Sequence, residues 1–245
     1  MKHLRQFTMA RVALGRAGDA LPMRELLNLR AAHAAARDAV HKPLDVACLR
    51  QECEQRGWEC VALHSAAADR TEYLRRPDRG RRLKEESRML LMRGKYDAAI
   101  IIADGLSALA VHRHAVAVLD HLIPRLNSWS LAPIALVEQA RVAVGDEIGV
   151  TLGANLTLIL IGERPGLSSP DSLGAYLTWD PKPGKTDAER NCISNIRPEG
   201  LPYDEAAERL RALMTEAARR KLSGVALKEV TGLAAQCLPF TPRSI

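Results

Sequence analysis

The residues able to do chemistry fall into four short stretches: Asp104-Gly-Leu-Ser107, Arg141-Val142, Gly162-Glu-Arg-Pro-Gly166 and Arg190-Asn-Cys-Ile-Ser-Asn195. They offer hydrogen-bond acceptors, cationic donors and one thiol, Cys192, with no nucleophile beside a base. The fingerprints of unaided chemistry are missing. There is no G-x-G-x-x-G after a strand, no G-x-x-x-x-G-K-[ST], no H-E-x-x-H and no G-x-S-x-G. None of the seven histidines stands at metal-ligand spacing from cysteines or carboxylates. His112 and His114 come nearest, but two residues apart on a helix point about 200° from each other, so they read as a surface pair. Asp204, Glu205 and Glu208 open a helix, where carboxylates answer the positive end of the macrodipole. Loops of this kind suit gripping a large preformed cofactor, which brings its own reactivity and needs the protein for position.

Those loops require elements to hold them. The run from Leu156 to Ile161 is too short for a membrane span and too unbroken for a half-solvated strand, so it predicts a strand buried on both faces. It stops at Gly162. Pro165 disfavours the α region at Arg164 and holds the following tip extended. Open α/β sheets bind ligands beyond the carboxyl ends of their strands, which is where this tip would stand. Upstream, the spacing predicts helices over residues 21–40 and 44–57, a strand over 58–64, and a basic amphipathic helix over 79–93 stopped by Gly94. Strand and helix then alternate. Strands are expected at 98–102, 133–137, 141–144 and 174–179. Helices are expected at 108–126, shortened or bent by Pro124, then briefly up to Gly153, and at 204–221.

Composition bounds the function. With 245 residues, 47% apolar and 26% charged, the chain can bury a full core as one large or two small domains. No apolar run approaches a membrane span, and the first residues lack the apolar core of a signal peptide. Five cysteines without a C-x-x-C pair fit free thiols in a reducing cytoplasm. The net charge of +6 is uneven: residues 1–93 hold 19 Lys and Arg against 12 Asp and Glu, whereas residues 94–245 hold 16 against 17. The excess gathers at Arg75, Arg76, Arg79, Arg81, Arg82, Lys84 and Arg88, with acids interleaved and no aromatic stacking platform. That pattern argues against nucleic acid and for a solvated or subunit-facing surface.

Read together, Ala10-Arg-Val-Ala-Leu-Gly-Arg16, Ala36-Arg-Asp-Ala-Val-His41, Tyr73-Leu-Arg-Arg-Pro-Asp78, Ser87-Arg88, Asp104-Gly-Leu-Ser107, Gly162-Glu-Arg-Pro-Gly-Leu167 and Cys192-Ile-Ser-Asn-Ile196 resemble, in order, the small (light) subunit of ethanolamine ammonia-lyase. The resemblance covers residue 8 to Lys228. It implies an α/β fold, a mostly parallel Rossmann-like sheet flanked by helices with a helical N-terminal segment. Residues 1–57 would be that segment and 58–228 a Rossmann-like cobalamin-binding domain. Residues 229–245 would be a tail past the usual family end, for which disorder is the expectation. It further implies a hetero-oligomer with a large TIM-barrel subunit that binds ethanolamine, and adenosylcobalamin as cofactor for radical conversion of ethanolamine to acetaldehyde and ammonia. The complex would be cytoplasmic, with the inside of a bacterial microcompartment as a finer address within it. No nucleic acid, membrane or resident catalytic residue is expected in this chain.

By the same resemblance, Val142, Glu163 and Cys192 fall at cobalamin contacts. A valine can lie on the corrin rim, a carboxylate accepts from the amides that fringe a corrin, and a small polarisable thiol packs closely against the ring. The D-x-H-x-x-G motif that replaces the cofactor's lower ligand is absent, since His41 follows Asp38 by three positions. Two other readings compete: a nucleotide-binding α/β protein without the glycine fingerprint, and a basic scaffold or nucleic-acid-binding protein, against which the balance of 16 Lys and Arg to 17 Asp and Glu in residues 94–245 argues.

Overall fold

The structure, a computed structural model, describes residues 10–227. Strands β1 (Cys60–His64), β2 (Tyr96–Ala103), β3 (Ile134–Glu138), β4 (Ala154–Gly162), β5 (Leu173–Trp179) and β6 (Asn191–Ile196) form one sheet in the order β1-β3-β2-β4-β5-β6. The first four in that order pair in parallel, while β5 and β6 join antiparallel. The α/β class holds, but the sheet is mixed where a mostly parallel one was expected. A parallel return needs a crossover of roughly a dozen residues or more, usually a helix. The stretch 163–172 after β4 has neither the length nor a helix, so the chain turns back.

Along β2, Ala98, Ile100 and Ile102 enter one core layer and Ala99, Ile101 and Ala103 the other, which is why the run shows no polar alternation. The first layer is closed by α2 (Val46–Gln55), α6 (Ala108–Leu122) and α8 (Tyr203–Arg220), which contribute Leu49, Leu119, Leu210 and Met214. The second is covered by α7 (Val144–Leu152) and by three short helices, α3 (Arg70–Arg75), α4 (Pro77–Gly80) and α5 (Glu85–Arg88). Leu63, Leu83, Val144 and Ile148 pack there. Helix α1 (Met23–His41) stands apart, with Ala39 its buried residue.

Local signals explain most boundaries. Helix α6 starts where the Ser107 hydroxyl accepts the Ala110 N–H at 3.2 Å, and Pro124 turns its end into a single 3-10 turn, as its position predicts. Helix α7 ends at Gly153 in the left-handed region (φ 76°).

Four expectations fail. The basic helix over 79–93 is broken, because Leu83 donates its N–H to the Glu147 carboxylate at 2.8 Å and Lys84 donates to the His64 carbonyl at 3.0 Å. Backbone donors committed to α7 and β1 cannot also close helical turns. Residues 141–144 are a turn into α7, not a strand, with the Val144 and Gly145 N–H groups bonded to the Arg141 and Val142 carbonyls. Residues 190–195, read as a loop, are mostly β6. Nor are His112 and His114 a surface pair. His114 is buried with Nδ1 2.8 Å from the Tyr203 hydroxyl, and His112 Nε2 accepts the Asp45 N–H at 2.9 Å. The 229–245 tail lies outside the described residues.

Candidate functional site

The loops after β2 and β3 leave toward opposite layers, since α6 packs in one and α7 in the other. A crevice opens between them at the carboxyl ends of the strands, the place where such sheets take ligands. Asp104 stitches its two sides. It is buried and accepts the N–H groups of Gln139 and Ala140 at 2.9 Å each, with Arg70 Nη1 3.3 Å away. Burial pushes its carboxyl up to about 6, against the pull of those N–H groups and Arg70. Gly105 adopts φ 56°, and a Cβ there would lie 2.3 Å from the Gly162 carbonyl oxygen. Only glycine lets the β2 and β4 loops approach this closely.

One wall is built on Tyr73. The ring is fully buried, its hydroxyl donates to the Ala140 carbonyl at 3.2 Å, and burial pushes its pKa well up. The Arg70 guanidinium carbon lies 4.6 Å from the ring centroid and that of Arg141 4.2 Å from it, so the ring is shared by two cations. Arg70 is ion-paired with Asp104, whereas Arg141 pairs with no carboxylate among the described residues. Nothing in the spacing of Arg70, Tyr73 and Arg141 foretold this stack.

Val142 and Glu163 line one groove of about 390 Å³, together with Tyr73, Gly105, Arg141 and Tyr176. Glu163 follows β4 directly. Its Oε2 accepts from the Ser172 hydroxyl and from the Asn195 N–H at 3.3 Å. Its Oε1 has no protein donor among the described residues, and a Cβ on Gly174 would stand 3.0 Å from it. Glycine thus lets the Glu163 side chain pack closely over β5 at this point. Cys192 does not line the groove. It sits on β6 directly opposite Tyr176 of β5, exposed, with its sulfur 3.2 Å from Ser194 Oγ. Crowding by neighbouring atoms raises the thiol pKa, so it stays protonated and non-nucleophilic near neutrality. The three positions therefore converge on one stretch of surface, two within a groove and one on the adjoining strand.

Beyond Val142 a second groove of about 660 Å³ runs between Arg81 and Arg82 on one side and the 183–187 loop on the other. Its base is a buried ion pair that the sequence did not reveal. Arg190 donates to both oxygens of Asp146 at 2.8 and 2.6 Å, to Thr178 Oγ1 at 2.8 Å and to the Lys185 carbonyl at 3.0 Å. This clamp fixes the first turn of α7, which follows Val142, to the start of β6, which carries Cys192. A buried charge pair is tolerated where hydrogen bonds satisfy most of its polar atoms, and here Arg190 Nε alone of the guanidinium nitrogens has no hydrogen-bond partner among the described residues.

Among the described residues no group of three or more His, Cys, Asp or Glu could hold a metal ion, and no helix is long and apolar enough to cross a membrane. What the crevice offers is an acceptor at Glu163, a cation at Arg141, an aromatic flank at Tyr176 and an apolar lip at Val142. These fit a broad ring system fringed with amides, since Glu163 lines the groove and its Oε1, without a protein donor among the described residues, can accept from an amide N–H.

Known proteins bear on the chain as a whole. The family model described as ethanolamine ammonia-lyase light chain matches residues 1–228. The chain is 58% identical over 236 residues to a protein of Azotobacter vinelandii named ethanolamine ammonia-lyase small subunit, covering 93% of this chain and 87% of that protein. Proteins of the same name from Pseudomonas fluorescens strain Pf0-1 (56% identity over 234 residues, 92% and 85% covered) and Ralstonia nicotianae (58% over 234, 92% and 87%) are similar to the same extent. On this match the chain belongs to the ethanolamine ammonia-lyase light-chain family.

Proposed function

We propose that this chain is the small subunit of an adenosylcobalamin-dependent ethanolamine ammonia-lyase, supplies part of the cobalamin pocket, and acts only with a large TIM-barrel subunit that binds ethanolamine. The relatives' name speaks for a larger partner, as a small subunit is one part of a hetero-oligomer. Helix α1 supports it physically. It is 19 residues long with one buried residue, and Met23 and Leu27 are more than half exposed. An apolar-bearing arm of that length gains its stability from packing against something else.

The observation that carries the cofactor reading is Val142 and Glu163 lining one groove, with Cys192 on the next strand against Tyr176. Glu163 orients a corrin by accepting from its amide fringe, Val142 excludes water at the rim, and the protonated Cys192 packs without reacting. When bound, adenosylcobalamin supplies the radical chemistry that turns ethanolamine into acetaldehyde and ammonia. The four thiols free among the described residues support a reducing cytoplasm as the place of action.

Co-expression with the neighbouring large-subunit gene tests this. The complex should carry cobalamin through gel filtration, read by its absorbance, and release acetaldehyde from ethanolamine only with adenosylcobalamin added. Turnover without the cofactor, or a chain that never joins the large subunit, would overturn it.

A further inference from the structure

The groove between Arg81, Arg82 and the 183–187 loop meets the crevice at Arg141 and Val142, which line both. Its charge is lopsided once internal pairs are removed. Asp146 has both oxygens occupied by Arg190. Glu147 accepts from the Leu83 N–H at 2.8 Å and from Arg88 at 3.1 Å. Lys185 is matched by Glu189 at 3.2 Å. Asp187, exposed, lies 4.0 Å from Arg190 Nε. Arg81, Arg82 and Arg141 make no ion pair with any described residue. Three guanidinium groups without a carboxylate partner, one of them (Arg141) stacked on Tyr73, thus face a concave surface whose carboxylates are mostly engaged. Like charges in one concavity repel, and a guanidinium presents planar donors matched to phosphate oxygens. The basic excess legible in the sequence around residues 75–88 acquires a destination here.

The question is which anion would lie against Val142. If a corrin rests on Val142 and Glu163, the ligand's neutral amides occupy the crevice, and its one anionic group is the phosphodiester of the nucleotide loop, tethered to the ring's edge by a short linker. We infer that the second groove receives this phosphodiester, with Arg81, Arg82 and Arg141 as its donors. The inference rests on the cobalamin reading above and adds to it the orientation of the cofactor: the nucleotide loop descends on the α4 side of Val142, away from Glu163.

The test uses the co-expressed complex and three corrinoids: adenosylcobalamin, adenosylcobinamide phosphate and adenosylcobinamide, which lacks the phosphate. Arg81→Gln/Arg82→Gln changes exposed side chains and should fold as the parent does. It should weaken the dissociation constants of the first two ligands by about tenfold, as expected for lost charge-assisted contacts, and leave the third within about twofold. Added salt should weaken the first two in the parent complex and lose that effect in the variant. Equal losses for all three ligands, or no loss for any, would overturn the assignment. Glu163→Ala separates the underlying reading, since it should weaken all three alike. If it does so while the arginine variant discriminates nothing, the phosphate assignment falls and the cobalamin reading stands. If the parent complex binds none of the three, both fall.

Discussion

On the layer closed by α2, α6 and α8, β4 buries Leu156, Leu158 and Leu160 with no exposed surface, and β6 buries Ile193 and Ile196. On the other layer the same two strands behave differently. There β4 presents Ile159 and Ile161 to α7, but β6 presents Cys192 and Ser194, both exposed. One sheet thus has a finished side and an unfinished one. The finished side spends its apolar surface on the chain's own helices. The unfinished side keeps a partly buried aromatic, Tyr176, the Glu163 Oε1 with no protein donor among the described residues, and Arg141, which makes no ion pair there. On the proposed function, ligand recognition falls to the open stretch at β5 and β6, so a substitution in the closed layer should move stability and spare recognition.

The sharpest challenge to that division is Asp146, which belongs to the open layer yet is buried. Asp146→Ala leaves Arg190 charged and unpaired, and should cost about 3–5 kcal/mol in urea unfolding. If the loss is under about 1 kcal/mol, the clamp is not holding α7 to β6. On the closed layer, Leu160→Ala should cost about 2–5 kcal/mol while the complex, where folded, binds cobalamin as the parent does. A weakened cobalamin affinity there would erase the distinction between layers.

Asp104 sits where the layers divide. Its folded pKa is raised above the ordinary 3.8 to about 6, so its protonated form is the one the fold favours. That contribution is fully present below about 3.8 and is lost as pH rises through about 6. Asp104→Asn should therefore remove a component of stability that declines between those values. Unfolding measured against pH for both proteins checks it, and parallel curves would refute it. The smallest effect belongs to Cys192→Ser, which should change stability by less than about 0.5 kcal/mol, as surface substitutions do, while lowering cobalamin affinity a few-fold.

How much of this was legible depended on where each interaction lay. The β4 strand and its Gly162–Gly166 tip could be read directly, because an unbroken apolar run and a Gly/Pro stop are local signals. The convergence of Val142 and Glu163 was expected through the family resemblance; the residues alone gave only two loops. Strand β6 was missed because Asn191, Ser194 and Asn195 are poor strand formers, and the strand is set by the pairing of Asn191, Cys192, Ile193 and Ile196 with β5. The helix over 79–93 failed because Glu147 and His64, distant in sequence, claim its backbone donors. Helix α3 was missed although its signal was local: the Asp69 side chain accepts the Glu72 N–H at 2.8 Å and Glu72 reaches back to the Ala68 N–H at 2.7 Å. The Tyr73 stack and the Asp146–Arg190 clamp are products of the fold, invisible to spacing.

The central claim is that the open layer grips a corrin at Glu163. Its most direct test is the cobalamin dissociation constant of the complex carrying Glu163→Ala, measured by absorbance titration, with circular dichroism as the check on folding. The account predicts about a tenfold weakening, the scale of a lost charge-assisted hydrogen bond, with the spectrum unchanged. A folded variant complex with an unaltered dissociation constant would contradict it.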